Sequence, residues 1–166
     1  MKELLILRHA KSSWEEPGLS DFERPLNERG KRDAPRMGRL LREQDLLPDL
    51  VISSDAKRAI KTARAVCKEA GYAGPIEERH EFYLAEAGVY MAVLHDAPDA
   101  AGRILIVGHN PGLAFLVASL THQHEEMPTG ALAHIVFPIR HWRELQLSTP
   151  GMLKCVWRPK ELPGGA

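Results

Sequence analysis

The chain is poor in cysteine, with only Cys67 and Cys155 in 166 residues. Both lie in apolar segments, so they read as two buried free thiols of a cytosolic protein, not as a disulfide framework. It also lacks net charge: 22 Lys and Arg balance 22 Asp and Glu. That balance points neither to nucleic acid nor to an anionic membrane, so any affinity for an anion has to come from a local cluster. No apolar run approaches the ~20 residues of a membrane helix. Lys2 and Glu3 lead directly into a short strand-like run. No signal peptide is therefore expected, and the expected location is cytoplasmic. Repeats and low-complexity segments are missing. So is a Walker A sequence, which removes a nucleotide P-loop as a source of phosphate affinity.

What is present is an ordinary globular composition, 44% hydrophobic and 27% charged. The length suits one domain with a sizeable core, expected over 1–160 with a flexible tail at 161–166. Strand and helix patterns alternate. LLIL (4–7) reads as a buried strand. A helical stretch follows to about Gln44, with Ala34, Met37, Leu40 and Leu41 at helical spacing. Pro35 implies that this helix either starts nearby or kinks in an early turn. DLVIS (49–53) is the second strand. Residues 56–70 form a helix with Ala59, Ile60, Ala63, Val66, Cys67 and Ala70 on one face, stopped at Gly71. PIEER (75–79) is a short strand, and a helix over 86–96 turns Val89, Ala92 and Val93 inward. RILIVG (103–108) is another strand. The next helix takes Asn110 as N-cap and Pro111 as its first residue. Residues 121–131 read as loop, and 131–139 and 152–159 as late strands. This order predicts an α/β fold, a three-layer α/β/α sandwich with a mostly parallel sheet.

Ligands of such sheets bind beyond the carboxyl ends of the strands. Arg8 and His9 end the first strand, and His109 ends the strand ILIVG. Arg24 lies in the loop DFERPLNERG (21–30), and Arg58 in the first turn of the 56–70 helix. Three arginines, two histidines and helix N-termini at one sheet edge make an anion site. Guanidinium forks match phosphate oxygens, and helix N-terminal amides add partial positive charge. Nearby arginines disfavour an imidazolium, so a histidine there stays neutral and nucleophilic. The arginines and the second histidine would then hold charge on a transferring phosphoryl group.

LILRHAKS, SSDAKRAIKTA and IVGHNPG together resemble the three motifs of the histidine phosphatase (phosphoglycerate mutase-like) superfamily. The short chain, the RHA start and DFERPLNERG look most like its SixA-type phosphohistidine phosphatase branch. The resemblance covers roughly residues 1–140. It implies that His9 accepts the phosphoryl group, that Arg8 and Arg58 clamp it, and that His109 stabilises the transition state. Arg24 and Asn110 are implied on the substrate side. Larger members use a Glu or Asp from the segment after the third strand as proton donor. Here HEFYLAEAGVY (80–90) offers only Glu81 and Glu86, with Glu86 the candidate. The activity implied is a cofactor-independent phosphatase, with a phosphorylated protein or a small phosphate compound as substrate. A phosphohistidine-carrying phosphorelay protein is the implied partner. Two other readings compete: a non-catalytic phosphate-binding module, and a metal-dependent hydrolase using His9, His109 and the His122/His124 loop. No metal is expected, because nothing else there is spaced for a tetrahedral site. Trp14 is expected at the pocket mouth, His134 as a satisfied core or edge histidine, and Trp142 and Trp157 in packing. Tyr83 and Tyr90 carry no separate signal.

Overall fold

In the computed structural model, residues 1–164 are described. Six strands form one sheet: β1 (Lys2–Arg8), β2 (Leu50–Ser54), β3 (Ile76–Arg79), β4 (Arg103–Gly108), β5 (Leu132–Phe137) and β6 (Met152–Trp157). Their order is β3-β2-β4-β1-β5-β6. The first four neighbours pair in parallel, and β5 and β6 add antiparallel strands at one side. The α/β class and the phosphoglycerate mutase-like arrangement are those expected.

The apolar runs of β1 and β4 serve two cores at once. Side chains alternate across a strand. Leu4, Ile6, Ile104 and Ile106 therefore enter the core under α3 (Ala87–His95) and α4 (Gly112–Thr121). Leu5, Leu7, Leu105 and Val107 enter the opposite one, under α1 (Glu28–Glu43) and α2 (Lys57–Ala70). All eight are fully buried. A strand covered on both faces has no polar position to show until it ends.

Helix boundaries followed local chemistry, with three differences. Helix α1 starts at Glu28, well before Pro35, because the Asn27 side chain caps it by accepting from Gly30 N at 2.9 Å. Pro35 lies inside the helix. In α3 the buried residues are Tyr90, Met91, Val93 and Leu94, whereas Ala92 is exposed. That helix is apolar nearly all round, so its spacing did not choose a face. Helix α4 begins at Gly112, with Pro111 in the cap position. Asn110 still serves it from one residue further back, accepting from Ala114 N at 3.2 Å. Helix α2 matches expectation, with its six named apolar residues buried and Gly71 closing it at φ 84°.

Cys67 is buried and Cys155 partly so; both are free thiols. Burial pushes the Cys67 thiol up to about 11. His134 is buried and hydrogen-bonded to Glu3 at 3.2 Å. Trp142 is fully buried, and Trp157 on β6 packs against the α1–α2 core. Of the segment expected as a tail, Leu162 packs against that same core, and Arg36 donates to the carbonyl of Pro163 at 3.3 Å. Residues 165 and 166 lie outside the described residues.

Candidate active site

The sheet brings the two histidines together. β1 and β4 are direct parallel neighbours, with Arg8 opposite Gly108. His9 N donates to Gly108 O at 3.1 Å, so the residue after each strand stays in register. The rings of His9 and His109 end 5.2 Å apart, centre to centre. They share a pocket of about 200 Å³ with Arg8, Lys11, Arg24 and Arg58. Asn110 and Thr129 also line it, and exposed Trp14 and Leu84 stand at its edge. No carboxylate is among the lining residues.

His9 is held by its own loop. Its Nδ1 is 2.8 Å from the carbonyl of Ala10. A carbonyl only accepts, so Nδ1 carries the hydrogen and Nε2 keeps its lone pair. Ala10 N is tied to the Thr62 hydroxyl at 3.0 Å, which in turn donates to the Arg58 carbonyl at 2.7 Å. Helix α2 thus fixes the loop that fixes the imidazole. Burial pushes the His9 pKa down to about 3; the carbonyl bond opposes this, and His109, Arg58 and Arg8 add to it. The expected neutral histidine is present, but desolvation outweighs the arginines as its cause.

His109 is held from two sides. Its backbone N–H donates to the Tyr90 hydroxyl oxygen at 3.1 Å. Gly108 permits this approach, since a Cβ there would stand 2.3 Å from that oxygen. Its Nε2 lies 2.7 Å from Ser54 Oγ. Ser54 Oγ accepts from Ala56 N at 3.2 Å, and among the described residues its own hydrogen has no acceptor other than Nε2, so Ser54 donates this bond. Nδ1 is then the protonated nitrogen, buried and without a hydrogen-bond partner among the described residues. Burial again dominates the fall of the His109 pKa to about 3, with Arg58 next and Asp21 opposing.

The arginines differ in freedom. Arg8 donates to Met127 O at 3.1 Å, and its buried Nε has no partner among the described residues. Burial, then the Arg58 charge, lowers its pKa. Arg58 is buried and directs both terminal nitrogens to Asp21. Arg24 bonds Ser13 O, Ser12 Oγ and Asp21 Oδ1, and the Trp14 ring covers it at 3.3 Å. Trp14 thus meets its expected place at the mouth.

Asn110 lines the pocket while its Nδ2 donates to Met127 O at 2.8 Å. Glu86 stands at the N-cap position of α3 without a side-chain capping bond, is exposed, and is not among the lining residues. His122 and His124 are exposed. Among the described residues no three His, Cys, Asp or Glu side chains are grouped to hold a metal ion. Ser54, Thr62, Tyr90, Asp21 and Lys11 escaped sequence reasoning. Ser54 and Thr62 lie inside SSDAKRAIKTA, Lys11 inside LILRHAKS and Asp21 at the start of DFERPLNERG, and membership of these motifs is the available signal.

A neutral imidazole with a free lone pair, faced by a second neutral imidazole and ringed by cations, is equipped to receive a phosphoryl group. Comparison with known proteins gives the family. A family model described as histidine phosphatase superfamily (branch 1) matches residues 4–95, and the chain belongs to that family. An uncharacterised Mycobacterium tuberculosis protein is 30% identical over 151 residues, covering 84% of this chain and 92% of that protein. An Agrobacterium tumefaciens structure assigned as the phosphohistidine phosphatase SixA is similar with a TM-score of 0.82 and 25% identity. That match covers 95% of this chain and 98% of the other. A structure of the protein histidine phosphatase SixA complexed with tungstate shares the fold at a TM-score of 0.78 and 23% identity, covering 93% of this chain and 95% of that one. The protein is a phosphatase.

Proposed function

We propose that the protein dephosphorylates phosphohistidine on proteins, through a phosphohistidine intermediate on His9. The observation that carries this is the Ala10 carbonyl on His9 Nδ1, which leaves Nε2 as the attacking atom. In the first step the Nε2 lone pair attacks phosphorus, and the P–N bond to the substrate imidazole breaks. The leaving imidazole takes a proton from solvent. In the second step water attacks phosphorus, the Nε2–P bond breaks, and phosphate leaves. Arg8, Arg58 and the Nδ1–H of His109 face the charge that develops on the phosphoryl oxygens, which is where preorganised donors lower a barrier. Arg24 and Asn110 bound the substrate side of the pocket.

Two features support this substrate class. The pocket walls carry no carboxylic acid to protonate an alkoxide. An imidazole leaves from phosphorus more easily than an alkoxide, so P–N bonds suit this site better than alkyl phosphates. Trp14 and Leu84, 72% and 56% exposed, stand beside the opening and fit the surface of a macromolecule. A phosphorelay protein carrying phosphohistidine is the partner we infer, with the protein acting in the cytoplasm.

The experiment is to incubate the enzyme with labelled phosphoramidate, quench in base, and locate base-stable, acid-labile label. Label on His9 is expected. Its absence, together with full turnover by His9→Ala, would overturn His9 as the attacking residue.

A further inference from the structure

Asp21 lies in the loop before α1 and reaches behind the pocket wall. Its Oδ2 accepts from Arg58 Nη2 at 3.0 Å and from the Tyr83 hydroxyl at 2.5 Å. Its Oδ1 accepts from Arg24 Nη1 at 3.0 Å, and its backbone carbonyl from Arg58 Nη1 at 2.7 Å. Two of the pocket's three arginines therefore take their direction from one residue. Tyr83 carries the connection further, because its ring meets the His109 ring edge-on at 5.6 Å. Burial alone would raise the Asp21 pKa, but the bonds from Tyr83 and Arg58 outweigh it and keep the carboxyl below its usual range.

The charge pattern gives this arrangement a consequence. Arg8, Lys11, Arg24 and Arg58 line a small pocket with no carboxylate in its walls. Inorganic phosphate, the product, carries up to two negative charges. Uncompensated, such a pocket binds the product as well as the transition state, and uniform binding does not raise kcat. Asp21 supplies a compensating charge, bonded to two of those cations.

We propose that Asp21 is a positioning residue that aims Arg58 and Arg24 and, as their counter-ion, limits the affinity for phosphate so that the product leaves. The proposal rests on the phosphatase reading above, but its central quantity, phosphate affinity, needs no turnover. Asp21→Asn keeps the size and an acceptor oxygen while removing the charge. The measured phosphate Kd, by titration calorimetry, falls about three- to tenfold; the range is kept modest because the Asp21 side chain is 39% exposed and partly screened. KM for phosphoramidate falls with it, and kcat falls as well. A residue that merely supports the wall would lower kcat while raising both Kd and KM.

Tyr83→Phe supplies a second test with the opposite sign. The carboxylate then loses its hydroxyl donor and competes harder for the arginines, so phosphate binds more weakly. An unchanged or raised phosphate Kd in folded Asp21→Asn overturns the proposal. If that variant does not fold, an unchanged or lowered Kd in Tyr83→Phe overturns it. Absence of label on wild-type His9 speaks to the phosphatase mechanism and leaves the Kd comparison readable.

Discussion

His109 and Ser54 meet across two strands: the imidazole Nε2 at the end of β4 lies 2.7 Å from the hydroxyl at the end of β2. This bond directs the other ring nitrogen of His109 toward donation. His109→Ala removes that donor and is expected to lower kcat about 10²–10³-fold, the usual cost of one lost donor to developing charge. Ser54→Ala leaves the ring but frees its tautomer, and a smaller loss is expected. Steady-state kinetics on phosphoramidate checks both, with His9 label persisting in Ser54→Ala.

Both histidines have pKa values depressed from about 6.5 to about 3. In the unfolded chain they titrate near the ordinary value. Above about pH 6.5 both states are neutral and the full stability is present. As pH falls from there toward 3, the unfolded chain takes up protons that the folded protein does not, so stability declines. The limiting slope is about 1.4 kcal/mol per pH unit for each histidine. Denaturant unfolding at pH 7 and pH 5 measures it, and His109→Asn is expected to flatten the dependence. By the same shift, the acid limb of kcat/KM should fall well below pH 6.5.

Tyr90 holds the backbone of His109 from a fully buried position. Tyr90→Phe leaves that N–H without its acceptor, at a cost of about 1–3 kcal/mol. Thermal unfolding should show the loss, and kcat should fall because the His109 ring is no longer anchored at its base.

Gly112 opens α4 where a Cβ would stand 1.9 Å from the carbonyl oxygen of Ala85. That neighbour is backbone and cannot swing aside. Gly112→Ala is expected to destabilise by about 1–3 kcal/mol or more, as overpacking does. A Tm within a degree of wild type would show that the Ala85 carbonyl yields to the added methyl.

Glu86 is exposed at the start of α3 and outside the pocket wall. Glu86→Gln should therefore leave phosphoramidate turnover within about twofold, a surface change of the neutral kind. Alkyl phosphates should be poor substrates for wild type and variant alike. A large, equal loss on both substrates would make Glu86 a proton donor that reaches the pocket in the complex.

The sequence by itself determined the sheet and what it delivers. Continuous apolar runs fit strands covered on both faces, so the polar residues after Leu7 and Val107 mark the strand ends where ligands bind. His9, His109, Arg8, Arg24 and Arg58 were all legible there, since each follows a recognisable element. Asn27 fixes the start of α1 by local capping, and Pro35, a residue usual in a first turn, lies further inside the helix. Tertiary structure alone decided the rest. That β1 and β4 are neighbours, so that the histidine rings meet at 5.2 Å, is a matter of pairing between residues about a hundred positions apart. The partners of the site, Asp21 with Arg58, Ser54 with His109 and Tyr90 with His109, are likewise distant in sequence. No periodicity links such pairs. Their hydrogen bonds exist because folding buries polar groups that must then find one another, and that requirement acts in space, not along the chain.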